Sequence, residues 1–377
     1  MDVFKFTNPT AKTKMDNGQF IEGIASKMWV EKYRDAGEFT FTAPIDSGVR
    51  EALPIDTFIS HMNTSEIMIV ENHEINETSK AVPDVKITGR SLETFLDNRI
   101  VGSNNIFPAQ HYEFIIQPNY TWIQAQYLIN IHATGAQFDA GNLFPYLVVP
   151  TPAVNISGES IARTIPFDSV YKELLTLLGY DDLGIKVVRP GPSSPLGAAS
   201  VDTALVIHTG TDRSKTVIFS YNTGEITSAD YLWSNKTLKN AALVSGRWIQ
   251  IAWGDGAQHY DRRTMFVDGS SIDKDYPSAP TGADLTNVVN AMIVLGREAC
   301  STQNRLTMSK AEIRRDATKA VYRHDYNLGD LITVEGDYNH AQIMRVSEFV
   351  EIEDSTGESG YPTLTVDSNV TAGSKKD

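Results

Sequence analysis

The 377-residue sequence holds a single cysteine, Cys300, and that scarcity removes two kinds of architecture at once. An internal disulfide needs two thiols and the usual structural zinc sites use two to four cysteines, so Cys300 reads as a small buried apolar residue. Long apolar runs are missing too: no stretch approaches the roughly 20 consecutive apolar residues of a membrane-spanning helix. The opening Met1-Asp2-Val3-Phe4-Lys5 lacks the basic and apolar regions of a secretory signal. No membrane span is expected, with synthesis and folding in a cytoplasm. Basic charge is in deficit, 33 Lys and Arg against 47 Asp and Glu, for a formal net charge of −14. That balance argues against the basic footprint of a dedicated nucleic-acid binder.

Catalytic signatures are equally sparse. His73-Glu74-Ile75-Asn76-Glu77 begins like a helical zinc motif, but position 77 is glutamate where a second imidazole is needed. The remaining histidines, His61, His111, His132, His208, His259, His324 and His340, have no short ligand spacing. Gly254-Asp255-Gly256 lacks the third glycine and following helix of a dinucleotide loop, and Gly210 to Thr216 lacks the glycine before Lys215 that a phosphate loop requires. No Gly-x-Ser-x-Gly elbow is present. Asp181-Asp182, Asp273 with Asp275, and Glu351 with Glu353 are carboxylate neighbours. A glycosidase pair, however, is defined by a separation in space of about 5 to 9.5 Å, and Glu351 and Glu353 read as one solvated strand face. No catalytic residue, cofactor or metal is expected.

What is present is the patterning of a globular chain, 41% hydrophobic and 21% charged, long enough for two or more domains. Phe39, Phe41 and Ala43 alternate with Glu38, Thr40 and Thr42 between Gly37 and Pro44, the period of a half-buried strand. Ile67 to Val70 and Val85 to Gly89 give two more strands. At Ser91 the period changes to Leu92, Phe95 and Leu96, a short helix with Ser91 as N-cap. Short strands closing on a small helix predict a compact barrel or a strongly bent sheet. Further on, Trp122 to His132 predicts a helix with Ile123, Tyr127 and Ile131 on its apolar side. Asp168 to Leu178 predicts another, with Val170, Leu174, Leu177 and Leu178 as its stripe, Asp168 or Ser169 as cap and Gly179 as terminator. A third follows Asp284 through Leu285, Val288, Val289, Met292 and Ile293 and is expected to lie on the second. The Pro- and Gly-rich run from Arg189 to Ser200 reads as a linker. Strands are predicted at Leu205–His208, Val217–Tyr221, Ala241–Val244 and Trp248–Trp253, and again after the Gly329-Asp330 turn. Asp354 to Gly360 reads as a longer hairpin tip.

Four stretches carry a resemblance: Trp29 to Pro44 (WVEKYRDAGEFTFTAP), Ile87 to Ile100 (ITGRSLETFLDNRI), Lys236 to Trp248 (KTLKNAALVSGRW), and Tyr326 to Thr363 with YNLGDLITV and GYPT. In this order they resemble the tail-hub, or minor tail, proteins of long-tailed bacteriophages, of the ReqiPepy6 Gp37-like type. The resemblance implies an α+β, mainly β fold: two β-barrel domains plus an inserted α/β domain. Residues 1–100 with about 201–265 would form a discontinuous, tube-like first barrel. About 101–200 with about 266–303 would form the insertion, about 304–366 the second barrel, and 367–377 a flexible tail. It further implies a structural virion protein, not an enzyme, that forms a homotrimeric pseudo-six-fold ring at the tail tip. Its partners would be the distal tail protein, the tape-measure protein and tail-tip or fibre proteins, with DNA passing through the lumen unbound. Three copies would carry 3 × −14 = −42 formal charges; a like-charged wall would let a polyanion slide, but most of the carboxylates are expected on the outside, as in acidic proteins generally. Trp29, Phe39, Phe41, Trp248, Leu331 and Val334 are the expected core or interface residues. The alternative is a tail-associated cell-wall hydrolase or host-glycan-binding module, its sugar face drawn from the 5 tryptophans and 15 tyrosines.

Overall fold

The structure, a computed structural model, describes residues 1–6, 18–76, 83–102, 114–135, 143–144, 147–151, 161–189, 203–273, 276, 278–301, 306–314, 317, 319–336 and 341–366. The first seven strands are β1 (Val3–Phe6), β2 (Gln19–Phe20), β3 (Ser26–Lys32), β4 (Glu38–Pro44), β5 (Phe58–His61), β6 (Met68–Asn76) and β7 (Asp84–Ser91), with a one-turn helix α1 (Val49–Ala52) between β4 and β5. β4 shows the expected alternation: Phe39, Phe41 and Ala43 are buried, and the intervening residues are not. It lies antiparallel between β3 and β7, Phe41 opposite Lys27 on one side and Ile87 on the other. Trp29, Val70, Val85 and Ile87 join Phe39 and Phe41 in the core beneath.

β6 carries a bulge between Val70 and Asn72, opposite the glycine of β7. A Cβ at Gly89 would stand 1.8 Å from the Ile69 carbonyl oxygen, so the bulge admits no side chain there. Gly89→Ala is expected to destabilise the protein by about 1–3 kcal/mol, read from the shift of a urea unfolding midpoint. A loss below about 0.5 kcal/mol, the range of neutral surface changes, would show that the bulge relaxes freely.

The middle of the chain forms β8 (Phe114–Asn119), α2 (Thr121–Ile129), β9 (Leu147–Val148), β10 (Ile161–Ile165), α3 (Val170–Tyr180), β11 (Gly184–Val188) and β12 (Thr203–His208). In α3 the expected stripe is buried, and the Ser169 hydroxyl accepts from the Lys172 amide at 3.4 Å. In α2 the buried face is Gln124, Ala125, Leu128 and Ile129, while Tyr127 is exposed. The helix runs into a widened turn, Asn130–Thr134, whose extra residue shifts the phase, so Ile131 is buried although Tyr127, four residues earlier, is not. Ser91 does not cap the 3-10 turn Leu92–Asn98 that follows it.

β20 (Ala341–Asp354) is the spine, and around it stand β13 (Ile218–Ser220), β19 (Leu331–Glu335) and β21 (Gly357–Val366). Its first half pairs with β19 and its second half with β3, along one edge. β21 follows its other edge, joined through a turn with Asp354 directly opposite Gly357, tighter than the expected tip. The result is one eleven-stranded sheet, in the order β13-β19-β20-β3-β4-β7-β6-β5-β1-β2 with β21 beside β20. This corrects the expectation of closed barrels: among the described residues the two end strands, β13 and β2, do not pair. Alternation says which face of a strand is buried, not whether the last strand returns to the first. A second core, with Phe219, Tyr326, Ile332, Val334, Met344 and Phe349, lies under the β13-β19-β20 half.

Residues 203–268 pair with several partners. β12 pairs with β11 and β9, and β13 with β19. β14 (Ile226–Ser234) forms a two-stranded ladder with β18 (Leu306–Ile313). β15 (Ala241–Ser245), β16 (Gln250–Gly254) and β17 (Thr264–Asp268) make a separate sheet. After a one-turn helix α4 (Ser270–Asp273), the long helix α5 (Gly282–Ser301) covers that sheet with Val288, Met292 and Cys300. The main seat of α5 is therefore this sheet and not α3, because Ala242 and Val244 offer small buried positions that a helix can approach closely.

Candidate functional site

The six residues singled out from sequence do not converge. Trp29, Phe39 and Phe41 lie in the first core and Val334 in the second; Leu331 is half-buried. Trp248 is 40% exposed, its indole N–H donating to the Tyr276 carbonyl at 3.0 Å and the Arg247 guanidinium 4.9 Å from its ring. Of the candidate carboxylates, Asp275 lies outside the described residues, and Asp273 and Asp182 are engaged structurally. Asp273 is fully buried and accepts from the amides of Arg247 and Trp248 at 2.7 Å each, shaping the β15–β16 hairpin. Asp182 is held by Arg345 at 2.5 Å and by Arg34. His73 donates to the Leu53 carbonyl across 2.7 Å. Among the described residues no group of three or more His, Cys, Asp or Glu is placed to hold a metal ion.

The densest chemistry is a buried polar junction that local patterns did not announce. Glu31 on β3 accepts from the Tyr322 hydroxyl at 2.7 Å, from Arg323 Nη2 at 2.8 Å and from the Thr64 hydroxyl. Arg323 then turns its Nη1 to Glu351 of β20 at 2.6 Å. The second Glu351 oxygen lies 3.1 Å from His61 Nε2, an ion-pair distance without hydrogen-bond alignment. Arg323 reaches both carboxylates from a backbone φ of 67°, which costs a non-glycine residue energy and persists only where its surroundings demand it. Glu351 is thus buried in the junction, a correction to its reading as part of a solvated face, whereas Glu353 is only partly buried and takes Lys27 at 3.0 Å.

Electrostatics divides these acids. Burial pushes the Glu31 carboxyl up, but Arg323, Thr64, His61 and Tyr322 outweigh it and hold it at about 2. Glu66, equally buried and with one oxygen lacking a partner, is pushed well above the carboxylate range by burial and by Glu31. Glu93, under the contact between the first sheet and β11, is raised to about 7 by burial, against the hydrogen bond it accepts from Ser91 at 2.6 Å. That same hydroxyl accepts from the Gly37 amide at 2.6 Å, which is the task that replaces capping. A carboxyl near 7 has the acidity of a proton-transfer group, yet Glu93 is only 2% exposed. The arrangement is a staple: Tyr322 and Arg323 tie the turn before β19 to β3, β5 and β20.

Beside it, the Tyr33 ring fills a slot that glycine makes possible. A Cβ on Gly184 or Gly329 would come within 2.3 Å of that ring, and the Tyr33 hydroxyl donates to the Asp182 carbonyl at 2.8 Å. Three separate parts of the chain meet there.

A family model described as Siphovirus ReqiPepy6 Gp37-like protein matches residues 16–364. The chain belongs to this family. The Gp37-like fold recurs in solved structures of tail proteins, two of them from prophages. The tail protein from Neisseria meningitidis MC58 superposes with a TM-score of 0.55 at 11% identity, covering 97% of this chain and 96% of that one. The 43 kDa tail protein of prophage MuSo2 from Shewanella oneidensis gives 0.56 at 10% identity, with 97% and 98% covered. Prophage tail protein gp18 from Listeria monocytogenes EGD-e gives 0.52 at 11% identity, with 98% and 95% covered. At such identities the likeness is one of fold. No curated protein sequence matches the Gp37-like chain.

Proposed function

We propose that this Gp37-like chain is a structural virion protein, the hub at the distal tip of a phage tail. Three copies form a pseudo-six-fold ring that joins the tail tube to tip or fibre proteins and lines the DNA exit path. The observation that carries this reading is the nearly end-to-end fold match with three tail proteins, two of them from prophages, 95–98% of each covered. The two half-sheets that share β20 add a physical reason: two strand-built surfaces per chain, times three chains, offer six contact surfaces to a six-fold tube. The distal tail protein, the tape-measure protein and tip proteins are the partners of such a hub. Its chemistry is that of a scaffold, because the junction acids are buried and bound to one another instead of facing a substrate.

Light scattering after size exclusion tests the ring. A main species near 3 × 41.6 = 124.8 kDa, seen as a holed three-fold particle in negative stain, is the expected result. A monomer at every concentration would count against the ring.

A further inference from the structure

Residues 235–301 form a unit set between β14 and β18, and those two strands pair with each other. Ser234 stands opposite Leu306 at the near end and Ile226 opposite Ile313 at the far one. The chain therefore enters this unit and returns from it at one end of a two-stranded ribbon. The unit also has its own core, in which Ala242, Val244, Val288, Met292 and Cys300 are buried with Ile249, Trp253 and Met265 packed on them. That core shares no described residue with the one formed by α2, α3 and β11. On the entry side the unit begins at Asn240, whose side-chain amide donates to the Asp261 carbonyl at 2.8 Å and whose Oδ1 accepts from the Arg263 amide at 2.7 Å. Between ribbon and Asn240 lie Asn235 to Lys239, in neither helix nor strand. The return connection, 302–305, lies outside the described residues.

A unit with a separate core moves against its neighbours unless a large apolar contact holds it. Here a polar contact does the holding. α5 comes back against β10, where Glu298 accepts from both terminal nitrogens of Arg163, at 3.1 and 2.8 Å. The two side chains, Arg163 and Glu298, are only 8% and 15% exposed, so the pair is largely shielded from water and is the strong, directional kind. Arg163 is also held from its own side. Its Nε donates to Gln124 Oε1 of α2 at 3.1 Å, and its guanidinium lies 3.9 Å from the centre of the Tyr180 ring at the end of α3. The inserted unit thus builds a socket around the cation, and the 235–301 unit supplies the carboxylate that fills it. When Glu298 leaves, Arg163 keeps an amide oxygen and an aromatic face, which lowers the cost of a stranded buried charge.

We propose that residues 235–301 are a hinged head that swings as one body about Asn235–Lys239 and is latched to the inserted unit by the Glu298–Arg163 pair. The bond from Arg263 Nη1 to the Asn235 carbonyl, at 2.7 Å, spans the hinge and steadies it while the latch is closed. Opening carries the exposed Trp248, Tyr260 and Phe266 away together, while α2, α3 and the eleven-stranded sheet stay in place. A few residues between rigid elements are enough to absorb such a rotation. The device belongs to a single chain and does not depend on the ring.

The test puts one spin label on the head and one on the body of the full chain, at Gln250→Cys and Thr176→Cys, both exposed positions, with Cys300→Ala removing the native thiol. Dipolar spectroscopy on this parent should give one dominant distance. Adding Glu298→Gln keeps the length of the side chain and removes its charge, so a second, displaced distance should gain about tenfold or more in population relative to the first. Amide exchange on the unlabelled Glu298→Gln chain gives the second reading: β15 and the middle of α5 should stay as protected as in the wild type, because the head moves without opening its core. A distance left unchanged by Glu298→Gln overturns the latch. Protection lost throughout α5 and β15 overturns the hinged head, since the unit would then be unfolding instead of swinging.

Discussion

Arg323→Met should destabilise the protein by about 3–5 kcal/mol, the usual penalty for removing one partner of a buried ion pair. The reason lies in what stays behind. Glu31 is held ionised at about 2 chiefly against its own burial, and Arg323 is the positive group that reaches both it and Glu351. Without the guanidinium, two buried carboxylates face each other with Glu66 nearby, and His61 is the remaining basic group beside them. Arg323→Met therefore lowers the urea midpoint, and it shifts the acid limb as well. A lowered Glu31 contributes stability above its ordinary value near 4.5 and loses it as pH falls toward about 2; in the variant that contribution is gone. Glu31→Gln added to Arg323→Met should recover part of the loss, since it removes the stranded charge. Should Arg323→Met alone lie within about 1 kcal/mol of wild type, in the range of an exposed pair, the junction is not the staple described.

Glu93 gives the second large effect, with the opposite sign in pH. In the unfolded chain its carboxyl loses its proton near 4.5, and in the folded protein it keeps it to about 7. Its contribution is therefore complete below 4.5, falls between 4.5 and 7, and is absent above. Each tenfold weakening of the acid on folding is equivalent to about 1.4 kcal/mol, so the loss amounts to about 3 kcal/mol. Glu93→Gln keeps an oxygen for the Ser91 hydroxyl and cannot ionise. It should match or fall slightly below wild type at about pH 4 and exceed it by about 2–3 kcal/mol at about pH 8. Glu66 is raised as well, so some alkaline loss remains in the variant. Unfolding free energies measured across that pH range that run parallel in the two proteins would refute this account of the site.

How much of this was visible in the amino-acid order depends on the range of the cause. β4 and the stripe of α3 are local, set by alternation and by a capping serine, and both are present as expected. The buried face of α2 depends on a widened turn beyond its end and on packing against α3, so its phase could not be read from residues 122–132 alone. The eleven-stranded sheet was likewise hidden, because the sharing of β20 between β19 and β3 is a pairing choice over long distance. The junction left one faint trace. Glu31 interrupts the run Trp29-Val30-Glu31 and is buried, and a charge within a strand's apolar stretch calls for a partner. Its partner Arg323 is 292 positions away, beyond any local pattern. Trp248 marks the same limit: an aromatic residue is expected in a core or at an interface, and the fold, which leaves it 40% exposed on a hairpin, removes only the first of the two.

The shared spine also sets a timetable for synthesis. One edge of β3 is satisfied by β4, but its other edge waits for β20, and the charge of Glu31 waits for Arg323. At about 5–20 residues per second on the ribosome, those 292 positions take about 15 to 60 s to emerge. For that interval the nascent first sheet has an unpaired edge and an uncompensated acid. Both oppose premature closure, and the open edge is a template for the wrong strand. The chain is thus one whose earliest strands are finished by its last, and its dependence on chaperones during translation should be concentrated in that window.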